Sequence, residues 1–322
     1  MTQGYHERTR LLSYRTFFAA VGQMAALGLA AWLIQKGGGG ARGYSVMGAA
    51  MAVFVGAATL ITFFGTASAK RIEPSRGSGI GFGKAVVMLA SNRPLVLLMG
   101  TKFLQFLALA SATGGGLLFR LNVLKTGMNG QIELAVAQNV VTALSMPVWV
   151  WMSRRWGKKW TYILAIAIFG AGCMSWLWSG PGITLASMLI RAAVLGFGAG
   201  GMLLMSISML PDVMEDDRRR TGMRREGVYS SLYAIVEKIG YAVGPALVGI
   251  YITASGYIPT THGKIIQQPH DAVTALYMAN SVVPAVLLLG SILMIWGYNI
   301  DEKTLSRPVL NAAEVSPEAA LS

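Results

Sequence analysis

Charged side chains and cysteine are scarce in this chain of 322 residues. Charged residues make up 13% of it, about half the share found in a soluble globular domain, whereas hydrophobic residues make up 54% and the mean hydropathy is +0.53. This composition excludes a soluble enzyme and indicates an integral membrane protein. The single cysteine, Cys173, also excludes an intramolecular disulfide and a metal cluster built on cysteines.

Long apolar runs, in contrast, are abundant. A helix needs about 20 apolar residues to cross the hydrocarbon layer of a membrane, which predicts an all-α, polytopic protein with about eight spans. The predicted spans are residues 16–35, 44–66, 94–118, 132–152, 159–179, 183–210, 228–254 and 272–298.

Lysine and arginine are distributed unevenly between the links. When the spans alternate across the bilayer, most of the 27 lysines and arginines fall on the side that holds both termini. The positive-inside rule predicts that this side is cytoplasmic, as in a bacterial inner membrane protein. Arg120 and Lys125 fall in a link on the opposite side. Because this bias accounts for the net charge of +13, we expect the lipid bilayer, and no nucleic acid, as a partner.

Lys238 lies near the middle of the seventh predicted span. Charges at such positions usually face the interior of a helix bundle or a water-filled cavity. Spacings of three and four residues place Ser231, Ala234, Lys238 and Tyr241 on one face of the helix, as in the wall of a cavity. In the alternative interpretation, Glu237 or a carbonyl at a helix end only neutralises Lys238 against a neighbouring helix.

Other polar residues within the spans are less informative. Lys102 lies near the cytoplasmic end of the third span, and its long side chain is predicted to extend to the membrane surface. For Arg191 in the sixth span, a structural and a functional role are equally compatible with the sequence. Gln138 and Asn139 in the fourth span either line a cavity or form hydrogen bonds between helices.

Two glycine pairs with a spacing of four residues predict close contacts between helix backbones. They are Gly196 with Gly200 and Gly240 with Gly244.

A catalytic constellation does not emerge from the sequence. All three histidines fall in the N-terminal tail or an outer link, and the acidic residues lack the spacing of metal ligands. We therefore expect no enzyme, no metal and no cofactor.

The most distinctive stretch follows the sixth span. It reads MLPDVMEDDRRRTGMRREGVYSS over residues 209–231 and continues to Lys238-Ile-Gly. Two further stretches are Asn92-Arg-Pro and Arg155-Trp-Gly-Lys-Lys. Together they resemble the glycoside-pentoside-hexuronide:cation symporters of the major facilitator superfamily, and the N-terminal stretch YHERTRLLSYRTFF resembles that family's entry into its fifth helix.

The resemblance implies a major facilitator fold, in which twelve helices form two six-helix halves. The chain would correspond to helices five to twelve, without the first four, which in the family carry the acidic residues that bind the coupling Na⁺ or H⁺. A mis-set start, a truncated gene and a partner that supplies the missing helices would each explain this. The implied units are a remnant of the N-terminal half (1–66), a cytoplasmic link (67–93), a C-terminal six-helix half (94–298) and a cytoplasmic tail (299–322).

The resemblance also implies site residues. Lys238 matches the family's cavity lysine, and Tyr233 falls among the cavity-facing positions of the same helix. The predicted substrate cavity therefore comprises Lys238, Tyr233, Ala234, Tyr241, Gln138 and Asn139.

A cytoplasmic gate is implied in the same way. Asp212 and Glu215 match acidic positions whose ion pairs hold the cytoplasmic side shut in the family. Arg15 is the predicted partner, and Arg224 and Arg225 belong to the same link. The alternative is that these carboxylates only neutralise the arginines between Arg218 and Arg225.

The predicted function is secondary active transport of a small polar solute, a sugar or glycoside, coupled to Na⁺ or H⁺ and proceeding by alternating access. One alternative is a non-transporting relative, either a scaffold, a regulatory protein or an inactive fragment. Another is a drug or lipid carrier of the same fold, which would take up amphipathic solutes and not respond to sugars.

Overall fold

The computed structural model describes residues 40–65, 91–221, 225–259 and 267–300, together with isolated positions between residues 13 and 38 and at 67 and 83. No strand occurs in this part of the chain, so the predicted all-α class is confirmed. The helices are α1 (Gly40–Gly65), α2 (Arg93–Phe119), α3 (Gly127–Trp156), α4 (Lys158–Met174), α5 (Leu185–Thr221), α6 (Glu226–Ala254), α7 (His270–Tyr277) and α8 (Val283–Trp296).

Three short turns extend these helices. A π turn at Arg120–Leu124 continues α2, a 3₁₀ turn at Ser175–Trp178 continues α4, and a π turn at Met278–Val282 joins α7 to α8. With these turns included, seven helical stretches in the described residues are long and apolar enough to cross a membrane. They correspond to the second to eighth predicted spans. The first predicted span, 16–35, lies mostly outside the described residues.

Local sequence explains several helix ends. The side chain of Asn92 caps α2 by accepting a hydrogen bond from the backbone N–H of Leu95 (3.3 Å), and Pro94 lies in its first turn. Gly157 joins α3 directly to α4 with a φ of +80°, which a residue with a side chain rarely adopts. The last turn of α3 carries Arg154 and Arg155, whose positive charges favour a helix C-terminus.

The helices from α2 to α8 form one bundle. Helix α6 packs on α2, α2 on α8, α8 on α4, α4 on α5, and α5 on α3. Helices α2 and α5 are the most buried, with 61% and 72% of their most apolar windows inside the bundle, whereas none of the corresponding window of α1 is buried. The core around them includes Trp149, Tyr162, Phe169, Met205 and Leu288.

The two predicted glycine contacts are present. A Cβ atom on Gly240 would lie 2.7 Å from Phe106 Cβ, and one on Gly244 would lie 2.7 Å from Ala110 Cβ, so these glycines let α6 approach α2. A Cβ on Gly196 would collide with the carbonyl oxygen of Gln138, where α5 meets α3. Real Cβ contacts are almost never shorter than 3.0 Å, so a side chain at any of these positions would force the neighbouring helix to shift.

Two helices are longer than the spans predicted in them. The π turn extends α2 to Leu124 and places Arg120 inside the helix, 6% exposed, so the prediction that Arg120 lies in a link is wrong. Helix α5 continues beyond residue 210 to Thr221. Pairs of opposite charge one helical turn apart, such as Asp216 with Arg220 (3.0 Å), stabilise this polar extension.

Candidate functional site

The face of α6 that carries Lys238 is exposed. Ser231, Ala234, Lys238 and Tyr241 all lie on it, and the side chain of Lys238 is 78% exposed. The opposite face of α6 packs on α2 through residues such as Gly240. Lys238 Nζ lies 3.6 Å from Oε1 of the partly buried Glu237, so the Glu237 contact of the alternative interpretation is present, although Lys238 does not pack against a neighbouring helix of the described bundle.

The depth of Lys238 restricts what this face borders. Lys238 lies near the middle of the candidate span Glu226–Ala254. A lysine at the centre of a bilayer costs about 3 kcal/mol on insertion scales, so lipid tails are an unfavourable neighbour. The face of α6 around Lys238 is therefore suited to water or to polar groups.

Tyr233 and Tyr241 connect this face to the interior. The ring of Tyr241 lies 5.2 Å from the ring of Phe106 on α2, and the half-buried ring of Tyr233 meets Phe106 edge-on at 6.2 Å. Beneath them lies Lys102, whose Nζ is 4.2 Å from the centre of the Phe106 ring and 5.3 Å from that of Tyr233. The ring of Tyr233 thus contacts both Phe106 and the ammonium group of Lys102.

Lys102 does not extend to the membrane surface, and that prediction is wrong. Its side chain is 0% exposed, and its Nζ donates a hydrogen bond to Gln105 Oε1 at 3.3 Å. The hydroxyl of Tyr162 on α4 donates to the same oxygen. Contacts with two aromatic rings and an amide oxygen stabilise the buried ammonium group inside the bundle.

Gln138 and Asn139 lie elsewhere in the bundle. They line a cavity of about 180 Å³ between α2, α3, α4, α5 and the π turn before α8. No residue of α6 belongs to the described lining, so the structure does not bring Gln138 and Asn139 together with Lys238. The lining residues are Leu109, Ala112, Thr113, Arg120, Leu134, Ala135, Gln138, Asn139, Phe169, Cys173, Trp176, Leu195 and Asn280.

At the predicted cytoplasmic end, Asp212 forms a buried ion pair with Lys158. Lys158 Nζ lies 2.6 Å from Asp212 Oδ2 and also donates to the carbonyl oxygen of Ser208 at 3.1 Å. The pair connects the start of α4 to α5. The predicted partner, Arg15, lies outside the described residues, so the Arg15 gate stays a prediction.

The other predicted gate residues pair locally. Glu215 contacts Arg219 at 3.1 Å and Arg218 at 3.6 Å on its own helix, as the alternative interpretation has it. Arg225 lies 3.6 Å from Asp217, and both of these side chains are at most 10% exposed. Arg224 lies outside the described residues.

Sequence reasoning missed the enclosed positions of several polar residues, among them Lys102, Arg120 and Asn280. Asn280 follows seven apolar or small residues and is 4% exposed. The sequence does contain an indication that the helix continues through Arg120, because no glycine or proline separates this residue from the apolar run that ends at Phe119. Arg191 has a structural role, since its Nε donates to the carbonyl oxygen of Ser175 (3.3 Å) and ties α5 to the end of α4.

Comparison with known proteins gives a family match. The model of a family described as MFS/sugar transport protein matches residues 1–302. The chain is 32% identical to an uncharacterized symporter of Synechocystis sp. over 67% of this chain and 40% of that protein. It is 26% identical to the glucuronide carrier protein homolog of Escherichia coli, over 69% and 47% of the two chains.

A third relative covers more of the chain. The isoprimeverose transporter of Lactiplantibacillus pentosus is 24% identical over 94% of this chain and 62% of that protein. The chain thus spans 40 to 62% of the length of these three relatives.

Proposed function

Because the chain belongs to the MFS/sugar transport protein family, we propose that it is a secondary transporter that carries a sugar or glycoside across the membrane. Membership of the family confirms the resemblance to the glycoside-pentoside-hexuronide symporters. The family and the three relatives are transporters, and the chain is an integral membrane protein. The identity of the solute, the role of Lys238 and the coupling to Na⁺ or H⁺ are parts of the proposal.

One observation supports the proposal above the others: the open, mid-span position of Lys238. Its ammonium group lies beside the Glu237 carboxylate, on the helix face that also carries the hydroxylated residues Ser231 and Tyr241. Charged and hydroxyl groups of this kind form hydrogen bonds with the hydroxyls of a saccharide. Aromatic rings such as that of Tyr241 offer an apolar surface beside these polar groups.

In this proposal, the solute binds against the exposed face of α6. Rocking of the C-terminal half, which is the α2–α8 bundle, against the N-terminal half would open the site to either side of the membrane in turn. The Lys158–Asp212 pair joins α4 to α5 within this bundle. A Na⁺ or H⁺ gradient supplies the driving force.

Solute binding and counterflow by the full chain test the proposal. The purified protein, reconstituted in liposomes, is loaded with unlabelled saccharides and assayed with a panel of radiolabelled ones. We expect Lys238→Ala to weaken binding about tenfold or more, the equivalent of one hydrogen bond to a charged group. Lys125→Gln, which removes an exposed lysine outside the site, is the matched control and leaves binding unchanged.

Two results would contradict the proposal at different levels. Saccharide binding that is unaffected by Lys238→Ala removes the site assignment. Absence of binding and counterflow for every saccharide favours a non-transporting relative. The coupling ion is tested separately, by imposing a Na⁺ gradient at constant pH and a pH gradient at constant Na⁺.

A further inference from the structure

We propose that the cavity lined by Arg120 and Asn280 is a binding site for a small oxyanion, that is, a carboxylate, sulfonate or phosphate group. The cavity lies apart from Lys238, and its lining contains no residue of α6 among the described residues. The inference therefore does not depend on which solute the exposed face of α6 binds.

The strongest indication is an unsatisfied donor at Asn280. The side chain is 4% exposed and lines the cavity, and its Nδ2 has no hydrogen-bond partner among the described residues. Leaving a buried donor unpaired is unfavourable, and such groups in native proteins usually meet a ligand, an ion or water. An acceptor that enters the cavity would satisfy this amide.

Arg120 supplies positive charge beside the same amide. Its guanidinium group is buried and converges with Asn280 on Gly116 of α2. A Cβ on Gly116 would lie 2.9 Å from Asn280 Oδ1 and 3.0 Å from both terminal nitrogens of Arg120. The absence of a side chain at Gly116 is thus what allows the two polar groups to lie side by side.

Both residues come from π turns. Arg120 begins the turn Arg120–Leu124, and Asn280 is the middle residue of Met278–Val282. Such turns are rare, are less favourable than regular α-helix, and occur frequently at functional sites. Here two π turns each place a buried polar side chain at the same cavity. This arrangement indicates a binding site and not a packing defect.

The composition of the lining sets the charge of the ligand. Besides Arg120 and Asn280, the cavity offers the side-chain amides of Gln138 and Asn139, and one N–H of the Asn139 amide already donates to the carbonyl oxygen of Ala135. The hydroxyl of Thr113 also lines the cavity but donates to the carbonyl oxygen of Leu109. The described lining contains no carboxylate. Arginine and amide donors bind carboxylate, sulfonate and phosphate oxygens through charge-assisted hydrogen bonds. This donor set favours an anion over a cation.

The size of the cavity restricts the ligand further. At about 180 Å³ it is smaller than the roughly 300–1,000 Å³ of pockets that enclose a drug-sized molecule. It accommodates a single acidic group with a few water molecules. The group can belong to a soluble acid, to free inorganic phosphate or to the headgroup of an anionic lipid.

Titration calorimetry on the full chain in a neutral detergent, at constant ionic strength set with chloride, tests the site. The probes are glucuronate, its neutral analogue glucuronamide, and inorganic phosphate. We expect at least one of the two anions to bind and glucuronamide not to bind in this cavity. Arg120→Gln should weaken anion binding about tenfold or more, and Asn280→Leu about threefold or more.

Lys125→Gln is the matched control, because it removes a positive charge that is exposed and five residues from Arg120. In a Lys238→Ala background, which removes the proposed saccharide site, equal binding of glucuronate and glucuronamide would overturn the proposal. Equal losses of phosphate binding in Arg120→Gln and Lys125→Gln would overturn it as well. If Arg120→Gln does not fold, the anion affinities of Asn280→Leu and Arg120→Lys test the site instead. An unchanged anion affinity in both variants overturns the proposed oxyanion site.

The source of the oxyanion is tested in nanodiscs. Phosphatidylglycerol mixed into phosphatidylcholine should weaken the binding of the soluble anion if a lipid headgroup occupies the cavity, and should leave it unchanged if the natural ligand is soluble. Loss of saccharide binding in Lys238→Ala with anion binding retained keeps this site separate from the proposed transport site. Anion binding that is lost only in Lys238→Ala overturns the assignment to Arg120 and Asn280.

Discussion

The ammonium group of Lys158 lies 2.6 Å from Asp212 Oδ2, and both side chains are at most 3% exposed. Lys158 is the first residue of α4, directly after the Gly157 turn, whereas Asp212 lies in the part of α5 beyond its apolar segment. The pair therefore joins two helices at the predicted cytoplasmic end of the bundle.

Breaking this pair on one side should destabilise the protein. Lys158→Met leaves the buried carboxylate of Asp212 without its ammonium partner, and one-sided loss of a buried pair costs about 3–5 kcal/mol. The double variant Lys158→Met/Asp212→Leu, which removes both charges, should recover much of this loss. Reversible unfolding in detergent micelles measures the free energies of unfolding of the unaltered protein, the single variant and the double variant.

The partly exposed pair of Glu215 and Arg219 provides the comparison. Glu215→Gln should change the free energy of unfolding by less than about 1 kcal/mol, because exposed pairs contribute little. If Lys158→Met costs no more than Glu215→Gln, the buried pair is not a structural contact of the bundle.

The close contact of α6 with α2 predicts that two glycine-to-alanine substitutions on α6 differ in their effect on stability. Gly240→Ala would place a Cβ 2.7 Å from Phe106 Cβ, and overpacking of this kind costs about 1–3 kcal/mol. Gly249→Ala on the same helix meets nothing within 4 Å and should be neutral or slightly stabilising. Thermal unfolding of the two variants in the same detergent is the measurement, and equal melting temperatures would contradict the contact.

The positions of the spans and the glycine contacts could be predicted because both follow from local sequence. Apolar length specifies a span, and two glycines four residues apart specify a flat strip on one helix face. The inward direction of Lys102 could not be predicted in this way. The faces of α2 differ little in hydrophobicity, so its sequence does not show which side packs against a neighbour.

Arg120 shows a second feature that the sequence did not predict, namely how far a helix continues beyond its apolar run. The apolar run of the third span ends just before Arg120, but a charged residue continues the helix when the bundle encloses it. Asn280 reaches the same cavity from a π turn of a distant segment. Only tertiary packing places these two residues together.

The hydrogen bonds of Gln105 predict different effects for two isosteric substitutions. Lys102→Met removes a buried charge, while Gln105 Oε1 keeps the hydroxyl of Tyr162 as a donor, so we expect little loss of stability. Gln105→Leu leaves the Lys102 ammonium and the Tyr162 hydroxyl without their shared acceptor, and should cost about 1–3 kcal/mol. Unfolding in micelles measures the loss of stability in each variant. A larger loss in Lys102→Met than in Gln105→Leu would contradict this arrangement of hydrogen bonds.

The exposed face of α6 predicts a difference in chemical accessibility. A cysteine reacts as the thiolate, which forms in water and not among lipid tails. In a Cys173→Ser background, Lys238→Cys should therefore react with a charged, membrane-impermeant methanethiosulfonate at least about tenfold faster than Val286→Cys. Val286 on α8 is 60% exposed, but it lies among the exposed apolar side chains Leu289 and Leu293.

The two cysteines separate water from mere exposure, because both positions lie on the surface of the described bundle within candidate spans. If both react slowly, the Lys238 face is covered by lipid or by tightly packed helices, and the proposed solute site on α6 is wrong. If Lys238→Cys reacts rapidly and a bound saccharide slows the reaction, the solute lies against this face. Protection by saccharide without an effect of Lys238→Ala on affinity would place the solute near α6 but remove the ammonium group from its recognition.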